Sequence, residues 1–81
     1  MRMDTAIDKA ERQLSRGNIP LCVSALWTAI IEAESRGDSE TLARGAAVAD
    51  RLSCEAPDNE GIRSVCDAAQ AAFARANPDA V

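Results

Sequence analysis

The side chains that most often perform chemistry in proteins are sparse in this 81-residue chain. It has no histidine, which removes the usual general base and the commonest metal ligand. Its three cysteines, Cys22, Cys54 and Cys66, include no Cys-x-x-Cys pair, so zinc-ribbon spacing is absent from the sequence. We therefore predict a non-catalytic protein that uses no metal and no cofactor.

The cysteines allow a chemical and a structural interpretation. A redox role would pair Cys54 with Cys66, between the end of a third helix and the first turns of a fourth. Free cysteine more often acts as a small apolar residue in a core. We favour core positions for Cys22 and Cys66 and an accessible thiol at Cys54.

An acidic cluster lies in the middle of the chain, at Glu32, Glu34, Asp38 and Glu40. General acid–base catalysis needs a pocket that shifts a pKa, and nothing in the sequence predicts one. On a protein of net charge −4 such a cluster most often serves solubility, although it also suits contact with a basic partner. The same acidity argues against direct nucleic-acid binding, which requires a basic patch.

The other elements are organised around residues 19–33, which are apolar almost all the way round a helical period. A helix of this kind has neighbours on several sides, so we predict the central helix of a small all-α domain. Leu26 and Ile30 should be nearly inaccessible. Trp27 either fills the core or remains exposed, with Ile31, as an anchor for a partner.

Capping signals divide the chain into four antiparallel helices within one domain over 1–81. They are predicted at about 4–16, 19–35, 39–53 and 59–76. Thr5 and Asp8 have the spacing of a capping box. Ser-Arg-Gly turns at Gly17 and Gly37, followed by the capping residues Asn18 and Asp38, predict two successive helical hairpins. Asp58 or Asn59 should cap the fourth helix.

Targeting signals are also missing from the sequence. The first residues mix charged and apolar side chains, and the run from Ile19 to Ile31 is too short to span a bilayer. We therefore expect a cytoplasmic protein that makes no membrane contact.

Hairpins with Gly-Asn or Gly-Asp turns and small residues at the helix contacts resemble tetratricopeptide-type repeats. With Gly17-Asn18 at the turn within a repeat, small and bulky residues fall at the family's positions; these are Ala10, Cys22, Leu26 and Ala29. In the fourth helix, Ala69, Phe73 and Ala76 match the Ala-x3-Phe-x2-Ala spacing of a second repeat helix. The resemblance implies two stacked hairpins, and an up-down four-helix bundle is the alternative arrangement.

These observations predict a small interaction module that binds a protein partner, or a second copy of itself, through apolar surface on helices 2 and 4. Trp27, Ile31 and Phe73 are the candidate apolar contacts. Repeat-type hairpins need about three repeats to bury a continuous core, and this chain holds at most two, so we expect a homodimer.

The alternative function is a small acidic inhibitor or regulator, of the anti-defence or nucleic-acid-mimic type, that occupies a basic site on its target. Its contacts would be the four carboxylates of the acidic cluster. High salt should weaken this second kind of binding strongly and the apolar kind little.

Overall fold

The computed structural model describes residues 5–76, which form four α-helices and no β-strand. The helices are α1 (Ala6–Ser15), α2 (Ile19–Arg36), α3 (Ser39–Glu55) and α4 (Glu60–Ala76). The predicted all-α class is confirmed. The third helix ends two residues later than its periodicity indicates, and the predicted start of the first helix at residue 4 lies outside the described residues.

Local sequence sets most of the helix ends. The Thr5 hydroxyl accepts a hydrogen bond from the Asp8 backbone N–H at 3.3 Å, and the Thr5 N–H donates to the Asp8 carboxylate at 3.2 Å. The predicted capping box is therefore present. Gly17 and Gly37 have φ angles of 75° and 66°, in the left-handed region that glycine adopts without a steric penalty.

The caps of the three later helices differ from one another. The Asp38 carboxylate accepts from the Thr41 N–H at 3.1 Å, and Asn59 Oδ1 accepts from the Ile62 N–H at 3.2 Å. Asn18 occupies the N-cap of α2, but its side chain makes no capping hydrogen bond, so that part of the prediction is wrong. Pro20 lies in the first turn of α2 and reduces the number of N–H groups that need a cap there.

The two hairpins, α1–α2 and α3–α4, share one core. α2 and α3 each contact all three other helices, whereas the described parts of α1 and α4 do not contact each other. A closed up-down bundle places its first and last helices side by side, so this arrangement is two hairpins packed together through α2 and α3. The Cα atoms span 36 × 32 × 15 Å, and the shortest dimension has room for two packed helices.

The contact between α2 and α3 forms the middle of the core. Leu26 is fully buried and Ile30 is nearly so, as predicted. A Cβ atom placed on Gly45 of α3 would lie 3.5 Å from Leu26 Cδ1, which shows how closely the two helices approach. α3 buries as many residues as α2 does, so the predicted central helix shares the middle of the core with α3.

Candidate interaction surface

One side of α2 carries apolar side chains that no other helix covers. Leu21, Trp27 and Ile31 are 53%, 37% and 64% exposed, and they are the large hydrophobic residues exposed within residues 5–76. Their spacing places them with Ser24 and Thr28 on one side of the helix. We call these five residues the outer face of α2. No charged residue occurs between Ile19 and Ile31, so this face is uncharged over about three turns.

One polar group of the outer face, the Thr28 hydroxyl, is already hydrogen-bonded within the helix. The Thr28 hydroxyl donates to the Ser24 carbonyl oxygen, one turn earlier, at 3.3 Å. This bond satisfies the hydroxyl proton within the helix and leaves the threonine methyl group available for contact. The Thr28 side chain therefore adds an apolar methyl group to the face.

A groove runs beside the outer face, between α1 and α2, with a volume of about 300 Å³. Its lining includes Ala6, Lys9 and Gln13 of α1 and Leu21, Ser24 and Thr28 of α2. The groove is at the small end of the range for ligand pockets and contains no carboxylate or thiol. Its size suits a single side chain supplied by another molecule, and its lining is mixed, since Ala6, Leu21 and Ala25 are apolar and the other five lining residues are polar.

Phe73, the predicted contact from α4, has a different environment. It is half-buried and packs against the hydrophobic core, so its ring already serves the fold. The structure thus leaves Trp27 and Ile31 as the more accessible members of the predicted apolar set.

The acidic cluster is partly engaged within the chain. The Asp38 carboxylate accepts from the hydroxyl of Thr41 at 2.7 Å as well as from its N–H, and these bonds hold the pKa of Asp38 below its usual value. Glu34 pairs with Arg75 at 2.6 Å and links α2 to α4. Glu32 and Glu40 are exposed. Half of the cluster therefore has a structural role: the cap at Asp38 was predicted from the sequence, whereas the pairing of Glu34 with Arg75 was not.

A second ion-pair group joins α1 to α3. Arg44 Nη2 lies 2.8 Å from Asp8 Oδ1 and also pairs with Glu11. The hydrogen bond from Arg44, helped by those from Thr5, lowers the pKa of Asp8 to about 2. These residues are more than thirty positions apart in the chain, and sequence periodicity gives no signal for the contact.

Both acidic residues of α1 in the described range belong to this ion-pair group, whereas basic residues near them do not. Asp8 and Glu11 face Arg44, whereas Lys9 and Arg16 make no salt bridge with any residue in the range 5–76. Lys9 lines the groove, and Arg16 lies at the end of the same hairpin. The surface near the start of α2 is therefore locally basic, although the chain as a whole is acidic.

Cys22 and Cys54 have the environments that the structural interpretation predicts, whereas Cys66 packs against the core and is only half-buried. Cys22 is buried, and burial raises the pKa of its thiol. Cys66 is half-buried, and its Sγ donates to the Ala49 carbonyl oxygen at 3.0 Å. Cys54 is exposed. Among the described residues no three acidic, cysteine or histidine side chains are grouped as metal ligands would be.

Comparison with protein families, with curated proteins and with solved structures finds no match for this chain. The resemblance to tetratricopeptide repeats therefore stays a prediction. None of the four helices, over the residues described, is long and apolar enough to cross a bilayer. The outer face of α2 and the groove beside it are therefore the features of this chain that bear on its function.

Proposed function

We propose that this protein is a small non-catalytic interaction module that binds a protein through the outer face of α2. The observation that carries the proposal is the exposure of Leu21, Trp27 and Ile31 on one uncharged side of one helix. Contiguous exposed apolar surface marks association sites more often than chance. Tryptophan is also one of the residues most often found at the energetic centre of an interface.

The acidic-inhibitor alternative has less support. It needs several carboxylates directed at a basic target, but Glu34 is paired with Arg75 and Asp38 caps α3. Only the carboxylates of Glu32 and Glu40 in the predicted cluster have no hydrogen bond or salt bridge within residues 5–76. Binding through the outer face of α2 should accordingly persist at high salt, because apolar contacts are not screened.

Site-specific photo-cross-linking tests this function. A photoreactive amino acid replaces Ile31 in the protein expressed in its own host, and mass spectrometry identifies every adduct, including one with a second copy. A matched control carries the same group at Ala47, an exposed position on α3. We expect a protein adduct at position 31 that is absent at position 47. Equal labelling at the two positions would contradict the proposal.

A further inference from the structure

We propose that the occupant of the outer face of α2 is a second copy of this chain, docked so that the two α2 helices run antiparallel. This inference rests on the proposed function and names the partner of the same surface. A two-fold arrangement buries one surface patch from both copies, so the patch must be complementary to itself.

The surface has both an exposed side chain and a recess that another copy could use. Ile31, 64% exposed, projects from the second half of the outer face. The groove lies beside the first half, where Leu21 and Ser24 form part of its lining. Leu21 and Ile31 are about 15 Å apart along the helix. Antiparallel pairing places the second half of each helix over the first half of the other, so each Ile31 meets the partner's groove.

The charges around the face agree with the same arrangement. Glu32 directly follows Ile31 and is exposed. Lys9 lines the groove and makes no salt bridge with the described residues. When Ile31 of one copy enters the groove of the other, Glu32 comes close to Lys9. A parallel pairing about a two-fold axis would instead place α1 of each copy against α4 of the other, so Lys9 and Glu32 would not meet.

The size of the molecule allows such an interface. A stable complex takes about 800 Å² of surface from each partner. The broad side of this flat molecule measures 36 × 32 Å. α2 contacts α1 and α4, which do not contact each other over the described residues, so both can extend the interface beside α2.

Sedimentation velocity at micromolar concentrations tests the second copy. We expect twice the 8.6 kDa mass of one chain. Ile31→Glu should weaken the dimer by roughly 30-fold or more, because it replaces the exposed apolar side chain that enters the partner's groove with a charged one. Ala47→Glu adds the same charge on α3 and should leave the dimer intact. Circular dichroism checks that both variants retain their helices.

A charge exchange tests the antiparallel pairing. Lys9→Glu or Glu32→Lys alone places like charges opposite each other and should weaken the dimer severalfold, with the loss reduced by salt. The double variant, Lys9→Glu with Glu32→Lys, restores opposite charges at both ends and should recover the native affinity. A double variant weaker than either single variant would overturn the antiparallel arrangement.

The outcomes separate this inference from the function on which it depends. A native protein that sediments as one chain at micromolar concentrations overturns the second copy. A dimer that survives Ile31→Glu overturns it as well, because the contact then lies elsewhere. In both cases the photo-cross-link at position 31 decides the proposed function independently: an adduct with another protein upholds it, and the lack of any adduct removes it.

Discussion

α2 and α3 occupy equivalent positions in the fold but differ on the sides that they turn to solvent. Each contacts the three other helices, and they bury the same number of residues. The exposed positions of α3 are small or charged, as at Ala43, Ala47 and Asp50. Those of α2 include Trp27 and Ile31. The two helices contribute equally to the core, but the solvent-facing side of α3 is small or charged and that of α2 is apolar. Only the outer side of α2 is therefore suited to binding another protein.

The difference has an energetic consequence. Apolar area stabilises a folded chain by about 25 cal/mol per Å² only when folding removes it from water. Leu26 meets that condition fully, whereas Ile31 and Leu21 remain largely in water. The inner side of α2 should therefore dominate stability, and its outer side should dominate association. Variants on the two sides of α2 should therefore differ in which of these properties they change.

The first prediction concerns the contact between the two central helices. Leu26→Ala removes a fully buried side chain and should lower the free energy of unfolding by about 2–5 kcal/mol. Leu21→Ala, the same change on the outer face, should alter it by less than about 0.5 kcal/mol when single chains are measured. Urea denaturation measures both. Similar losses for the two variants would contradict the division between the inner and outer sides of α2.

The second prediction concerns the opposite side of that contact. Gly45 lies inside α3 without a left-handed φ angle, and an added Cβ would lie 3.5 Å from Leu26, an ordinary contact distance. Gly45→Ala should therefore stabilise the protein by about 0.5–1 kcal/mol through higher helix propensity. Gly45→Leu should destabilise it by about 1–3 kcal/mol through overpacking. A destabilising alanine would show that α2 and α3 approach more closely than the structure indicates.

Features determined by neighbouring residues were predictable from the sequence. The capping box of Thr5 and Asp8, the left-handed turns at Gly17 and Gly37, and the cap at Asn59 each depend on residues within one helical turn. Asn18 is the exception, because its side chain makes no bond to the turn that it precedes. The four helices follow from these signals and from apolar periodicity.

Features that depend on how the helices pack were not predictable. The sequence marks α2 as apolar all round, but only the placement of α1, α3 and α4 determines that Trp27 and Ile31 are left exposed. The pairing of Arg44 with Asp8 and that of Arg75 with Glu34 join residues distant in the chain. For the same reason, the sequence indicates a single surface cluster of acidic residues, although part of that cluster stabilises the fold.

The third prediction concerns the electrostatic link between α3 and α1. The pKa of Asp8 is about 2 in the folded chain and 3.8 without its partners. The stabilisation is therefore fully present above about pH 4 and is lost as the pH falls towards 2. Arg44→Gln should flatten this decline in the free energy of unfolding, because it removes the main cause of the lowered pKa.

Arg51→Gln is the control for that experiment, since Arg51 is an exposed arginine of α3 without a salt bridge to the described residues. It should retain the native slope between pH 4 and pH 2. Some decline should persist in every variant, because the pKa of Asp38 is lowered as well. Identical slopes for Arg44→Gln and the native protein would show that the ion pair between α1 and α3 does not contribute in solution.

The smallest expected effect separates stability from association most directly. Ile31→Glu and Ala47→Glu place the same charge on the exposed sides of α2 and α3. Measured at a dilution where only single chains sediment, each should change the free energy of unfolding by less than about 0.5 kcal/mol. Glutamate has at least the helix propensity of isoleucine, so the local helix should tolerate the change at position 31. A large apolar residue that the single chain does not need for stability is then available for binding. A loss above about 1 kcal/mol for Ile31→Glu alone would instead assign Ile31 to the fold and remove the basis for an interface on α2.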